Sequence, residues 1–269
     1  MLELINKVKE INPLVLHYTN EVTINDCANI TLALGASPLM SYSNEEVEEV
    51  VSIASSVVIN IGTMNSNRLD LFLQAGKAAN KFNKPVILDP VGVFATKTRT
   101  DFTNKLLNKI KFDVVKGNVA EIKFIGGLDV RGQGVDSFDD GEDISEVIKK
   151  VAKKLGCIVV ATGKVDFISD GNTVIKIFNG TSKLKSVTGT GCMTGSLIGS
   201  YLGAYNSLEG RERDNFKKVE VVAMGVLTMA VSGELADKDN IAIGTFKEEL
   251  MNNVYEMNID KLKEYGRIE

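Results

Sequence analysis

The 269-residue sequence predicts an α/β fold, with a central, mostly parallel sheet flanked by helices on both faces and a helical C-terminal third. Three observations predict it. Short β-branched runs alternate with helix-length segments as far as Thr162, the pattern of a parallel sheet covered on both faces. Polar residues or glycines recur where those runs end. Beyond the glycine-rich stretch 187–196 the chain carries long apolar segments without strand-like alternation.

The elements follow in order. Residues 2–10 suit a short amphipathic helix stopped by Pro13, and 14–18 a buried strand ending in Thr19-Asn20. Residues 22–34 carry Ile24, Ala28 and Leu32 at helical spacing, closed by Gly35. Residues 36–40 read as a loop or edge strand. Asn44 is expected to cap an acidic helix over 45–54. Strands at 57–61, 85–88 and 113–116 are followed by helices at 67–82, 98–110 and 119–125. A glycine- and acid-rich stretch, 126–143, precedes a helix at 144–155 and a strand at 157–162. Residues 165–169 and 173–178, joined through Asp170-Gly171-Asn172, predict an antiparallel hairpin. Helices at 192–205, 214–236 and 243–256 complete the chain. No linker, repeat or low-complexity tract divides it, so residues 1–269 are expected to form one domain.

Composition narrows the function. A net charge of −4 gives no electrostatic footprint for nucleic acid. The longest apolar run, 221–231, is too short to span a bilayer and reads as a buried helix, so no membrane partner is expected. The N-terminus lacks the apolar core of a signal peptide. Cys27, Cys157 and Cys192 are few and widely spaced, which suggests reduced thiols in a cytoplasmic protein. His17, the only histidine, lies in an apolar strand and reads as a core or pocket-wall residue. The acids of 136–143 read as a solvated loop leading into a helix.

In a parallel sheet, ligands bind beyond the C-terminal ends of the strands. Thr19-Asn20, Gly62-Thr63, Asp89, Lys116-Gly117-Asn118 and Thr162-Gly163 fall there and outline a cleft. Val187–Ser196 lies at its edge. Glycines before a helix N-terminus let an anion approach unpaired N–H groups, so this stretch reads as a phosphate cradle or as a close-packed helix entry. It lacks the lysine of a Walker A loop and the spacing of a dinucleotide fingerprint. Asp89 and Glu121 are candidate Mg²⁺ carboxylates; the alternatives are a turn residue before Pro90 and a solvated helix position. Lys116 is a candidate phosphate partner or a surface lysine. Cys192 stands where a helix N-terminus lowers a thiol pKa, as a nucleophile, a weak base or a packed small residue.

The run His17-Tyr-Thr-Asn-Glu-Val-Thr-Ile-Asn-Asp-Cys-Ala-Asn, then Gly35-Ala-Ser-Pro-Leu-Met40, resembles the N-terminal signature of hydroxyethylthiazole kinases. Asn60-Ile-Gly-Thr63, Asp89-Pro-Val-Gly92, Lys116-Gly-Asn-Val-Ala-Glu-Ile122, Gly134-Val-Asp-Ser137, Ala161-Thr-Gly163 and Gly189-Thr-Gly-Cys-Met193 continue the resemblance in order. It implies a ribokinase-like fold and ATP-dependent phosphorylation of the alcohol of 4-methyl-5-(2-hydroxyethyl)thiazole in thiamine salvage. It also implies Mg²⁺ and a homotrimer with active sites between subunits. Met40, Asn25 and Gly189 would meet the thiazole, Lys116 and Thr162 the ATP, and Asp89 and Glu121 the Mg²⁺. Gly191, Thr190 and Cys192 would be catalytic, with Cys192 where many ribokinase-like enzymes place an aspartate base. Two positions depart from the family pattern: Lys116 replaces an arginine, and Phe94 replaces a glycine. Other readings are a different ribokinase-like activity, on hydroxymethylpyrimidine or hydrated NAD(P)H, and a non-catalytic precursor-binding protein.

Overall fold

Eight strands form one sheet in the order β2-β1-β3-β4-β5-β6-β7-β8 in a computed structural model that describes residues 1–128, 143–238 and 241–269. The strands are β1 (Leu14–Tyr18), β2 (Ser37–Met40), β3 (Ser56–Asn60), β4 (Val86–Asp89), β5 (Val114–Asn118), β6 (Ile158–Thr162), β7 (Asp166–Ser169) and β8 (Val174–Ile177). The first six pair in parallel, and the hairpin β7–β8 adds antiparallel to β6.

Successive strand residues feed opposite faces, because side chains alternate across a sheet. Val58, Ile87, Val114 and Val160 pack under α1 (Leu4–Ile11), α2 (Ile24–Leu34), α8 (Thr190–Ser207), α10 (Lys218–Ala236) and α11 (Ile243–Tyr255). Their neighbours Val57, Leu88, Val115 and Val159 pack under α3 (Val47–Ile53), α4 (Ser66–Lys81), α5 (Lys97–Lys109), α6 (Val119–Gly126) and α7 (Ile144–Leu155). The layered α/β architecture expected from the strand runs is therefore present. α10 is the one helix among the described residues long and apolar enough to cross a membrane, and 83% of its apolar window is buried inside the fold.

Four expectations need correction. Asn44 caps nothing: α3 begins at Val47 behind Glu46, which makes no side-chain cap bond. The Ser41 and Ser43 hydroxyls instead donate to Glu46 and Glu45, each at 2.5 Å, and keep both carboxylates in the loop. α8 starts at Thr190, two residues before the expected point, because Gly189 takes the left-handed cap position. The helix expected over 214–236 begins at Lys218 as α10, and a separate short helix, α9 (Gly210–Asp214), precedes it. α12 (Ile259–Tyr265) was not expected. The Gly134–Ser137 motif lies outside the described residues, as does the acidic stretch except Asp143, which caps α7 by accepting from the Ser145 N–H at 2.9 Å.

His17 is a core residue, as its strand setting suggested. Its Nδ1–H donates to the Val15 carbonyl at 3.0 Å, which leaves Nε2 to accept from the Ser196 hydroxyl at 3.0 Å. Burial pushes the imidazole pKa down to about 4. Between pH 6.5 and 4 the unfolded chain therefore binds a proton that the folded chain refuses, so this residue's contribution to stability is complete above 6.5 and is lost as pH falls. We expect His17→Gln to remove about 3 kcal/mol of acid-side destabilisation, read as the difference between wild-type and variant denaturation midpoints at pH 7 and pH 4. Parallel midpoint curves would contradict it.

Candidate active site

Adjacent strand ends supply the polar cluster. Asn60 and Asp89 are register partners at the C-terminal ends of β3 and β4, and Lys116 projects from β5 beside them. All three side chains are buried. The Asn60 amide donates to Asp89 Oδ2 at 2.9 Å, and Lys116 Nζ lies 3.6 Å from the same oxygen. Burial pushes the Asp89 carboxyl up while Lys116 and Asn60 pull it back. For Lys116, burial opposes the charge, but Asp89, Cys192 and Glu121 together raise its pKa, so it stays an ammonium. Lys116 is thus no surface lysine.

Glu121 is no solvated helix position either. It completes a capping box at the start of α6: the Asn118 side chain accepts from the Glu121 N–H, and Glu121 Oε2 accepts from the Asn118 N–H, each at 2.8 Å. Its other oxygen accepts from the Gly92 N–H at 2.8 Å, which ties the β4–α5 loop to α6. Burial, then the Asp89 charge, raise its pKa. Two buried carboxylates that repel one another suit a hard dication, which Mg²⁺ sites commonly hold with one or two carboxylates beside phosphates.

The glycine turn closes over this cluster. Gly189 is left-handed, at φ 92°, and a Cβ there would meet Thr23 Cγ2 at 2.5 Å. The first in-helix bond of α8 runs from the Met193 N–H to the Gly189 carbonyl, so the N–H groups of Thr190, Gly191 and Cys192 open the helix without in-helix partners. Lys116 Nζ donates to the Gly191 carbonyl at 2.9 Å, and the Thr190 hydroxyl to the Leu184 carbonyl at 2.9 Å. Cys192 is half-buried; burial, then Asp89, raise its thiol pKa. The expectation of a helix-lowered pKa is therefore wrong: local sequence showed the helix start, whereas the burial and the carboxylate come from elsewhere in the fold.

A cavity of about 950 Å³ opens beside the turn, lined by Thr162, Thr190, Gly191, Asp166, Leu184 and Met229 among others. The volume falls in the usual range for nucleotide-sized ligands. Thr162, Thr190 and Gly191 line this cavity, and Lys116 joins it to the Asp89 cluster through the Gly191 carbonyl. Met40 ends the edge strand β2, half-buried, and Asn25 is exposed on α2, where its side chain accepts from Asn29 at 2.8 Å. Neither makes a described contact with the Asp89 cluster. Gly189 links the two regions through Thr23.

This chain matches the model of the HK: Hydroxyethylthiazole kinase family over residues 5–260. The chain belongs to the hydroxyethylthiazole kinase family. It is 64% identical to a hydroxyethylthiazole kinase of Clostridioides difficile, over 100% of this chain and 99% of that one. A solved hydroxyethylthiazole kinase structure from Pyrococcus horikoshii superposes with a TM-score of 0.86 at 32% identity, covering 100% of this chain and 97% of the other. A ribokinase-like superfamily protein of Enterococcus faecalis, 16% identical, shares the fold at a TM-score of 0.60, over 90% and 86% of the two chains. The fold is ribokinase-like and the protein is a kinase, as the motifs implied.

Within that family setting, the Phe94 ring packs against Phe124, with centroids 6.0 Å apart, and remains 40% exposed. Several residues at the site carried no role assigned from sequence. Asn20 and Asn60 reach Cys192. Arg99 donates to the carbonyls of Ile61, Val91 and Gly62 at 3.1, 2.8 and 2.8 Å, clamping two cleft loops together. Asp166 accepts from the Gly163 N–H at 2.9 Å, and burial raises its carboxyl pKa to about 7. Asn20 and Asn60 stood at strand ends in quoted motifs, the one signal available. Arg99 and Asp166 carried none.

Proposed function

We propose that this chain, acting as a single domain, transfers the γ-phosphoryl group of ATP to the hydroxyl of 4-methyl-5-(2-hydroxyethyl)thiazole, a step of thiamine salvage. The observation that carries the reading is the cluster of Asp89, Lys116 and Glu121 beneath an uncapped helix start, within a chain of the hydroxyethylthiazole kinase family. ATP occupies the cavity beside Thr162, with its terminal phosphates toward Gly191. Asp89 and Glu121 would hold Mg²⁺, which would supply charge neutralisation on the polyphosphate.

The chain's own groups do the rest. Lys116 keeps its proton and neutralises phosphate charge as a compact point, without the bidentate grip of an arginine. The N–H groups of Thr190, Gly191 and Cys192 point outward from the helix start and stabilise the charge on the transferring group. Phosphoryl transfer has a loose transition state, so positioning and charge outweigh base strength. A thiol whose pKa is raised fits that account.

Substituting the thiol therefore separates base strength from shape. Cys192→Ala is expected to slow turnover about tenfold without abolishing it, and Cys192→Asp to stay active. A folded, ATP-binding Cys192→Asp protein without turnover would contradict it. The thiazole itself sits near Met40, Asn25 and Gly189. Exposed Val22 and Leu32 on and beside α2, next to Asn25, support a trimer that covers this face and completes the substrate site. Three free thiols are consistent with a reducing cytoplasm. ADP release with the thiazole alcohol, ATP and Mg²⁺ tests the whole reading, with hydroxymethylpyrimidine and hydrated NADH as competing acceptors. Turnover of a competitor with none of the thiazole would overturn it.

A further inference from the structure

Two asparagine side chains from different strand ends converge on the Cys192 sulfur. Asn60 Nδ2 lies 3.2 Å from Sγ and Asn20 Nδ2 lies 3.4 Å from it. The orientation of each amide is fixed by what its oxygen accepts. Asn60 Oδ1 takes the Gly62 N–H at 2.9 Å and an Asn20 N–H at 2.9 Å. Asn20 Oδ1 takes the Thr23 N–H at 3.0 Å and the Thr23 hydroxyl at 3.1 Å. Flipping either amide would set its NH₂ against backbone donors, so the nitrogens must face the sulfur.

The donor count then closes. Asn60 spends one N–H on Asp89 Oδ2 and the other on Cys192; Asn20 spends one on Asn60 and the other on Cys192. No amide hydrogen is left over. A buried network in which every group is satisfied holds one arrangement. A sulfur that receives two N–H groups also has little remaining capacity to accept a third proton donor.

We infer that Asn20 and Asn60 are positioning residues, an amide relay that fixes side chain 192 and couples it to the Asp89 carboxylate. The inference rests on the kinase reading for its catalytic consequence, though not for its geometry. At this position the relay presents N–H donors, which suit an accepting side chain. In a Cys192→Asp protein they would hold one carboxylate oxygen and leave the second toward the acceptor alcohol.

Asn20→Ser tests the effect, since a serine hydroxyl can still accept from the Thr23 N–H but reaches neither Sγ nor Asn60 Oδ1. We expect Asn20→Ser to lower kcat about fivefold, with KM for ATP unchanged, the size expected from the lost donors to Sγ and Asn60. In a Cys192→Ala background the same substitution should change kcat less than twofold, because the group it acts through is gone. Equal losses in both backgrounds would overturn the relay. A second reading needs no turnover. Side-chain amide NMR signals of Asn20 and Asn60, assigned by their loss in Asn20→Asp and Asn60→Asp, should both move in Cys192→Ala. Signals that stay in place would also overturn it. Wild-type protein that releases no ADP with the thiazole alcohol would sink the kinase reading alone, and the NMR comparison would still decide the relay.

Discussion

Asp89→Asn is expected to cost about a thousandfold in kcat while leaving the protein folded. The amide has the carboxylate's shape and can still accept from Asn60, so the strand end keeps its packing. The charge is what disappears, and three neighbours register it. Asp89 is the strongest of the charges that keep Lys116 an ammonium against burial. Without it, burial dominates and the Lys116 pKa falls, so residual activity should decline at lower pH than in wild type as the pH is raised. Glu121 loses a repelling neighbour, and its pKa should fall as well. The proposed Mg²⁺ site would lose one of its two carboxylates, and electrostatic stabilisation at the transferring group is the largest single contribution to such catalysis. ADP release measured across pH, together with ATP binding titrated with and without Mg²⁺, checks all three. Mg²⁺ should no longer tighten ATP binding. Wild-type turnover in Asp89→Asn would remove this residue from the site.

The sheet was legible because its strands are buried on both faces. Runs such as 57–59 and 158–160 are β-branched and uninterrupted, and each residue feeds one of two cores in alternation. The site's floor was legible for a related reason: a parallel sheet gathers its strand ends, so Asp89 and Lys116 both fall on the rim where ligands bind. The helical third was read less well. α10 is buried on nearly every side, from Val219 to Gly233, so no polar face marks its period, and its break from α9 left no pattern to find. The Cys192 environment was misread because its determinants are non-local. Asn20 and Asn60 lie 172 and 132 residues away in sequence, and Asp89 arrives from a third strand. A helix start raises one expectation for a thiol; a buried carboxylate and a desolvated setting reverse it.

The substitution with the second large effect is Gly189→Ala, where two independent penalties coincide. At φ 92° an L-residue is strained, and its Cβ would sit 2.5 Å from Thr23 Cγ2 and 3.1 Å from Thr23 Cβ. Together these should cost about 2–4 kcal/mol, the sum of a left-handed backbone and a steric overlap. Stability is not the main loss. Thr23 cannot retreat freely, because its N–H and hydroxyl are both committed to Asn20 Oδ1. The start of α8 must shift instead, and with it the N–H groups of Gly191 and Cys192 and the carbonyl that receives Lys116. A displacement of that kind degrades the alignment on which phosphoryl transfer depends, so turnover should fall by about a hundredfold. Thr23→Ser removes the Cγ2 atom and keeps the hydroxyl. The Gly189→Ala, Thr23→Ser double variant should therefore regain part of the thermal midpoint and more of the turnover, leaving the backbone cost behind. If Thr23→Ser rescues neither, the overlap with α2 is not what makes glycine necessary at 189, and the conformational requirement alone carries it.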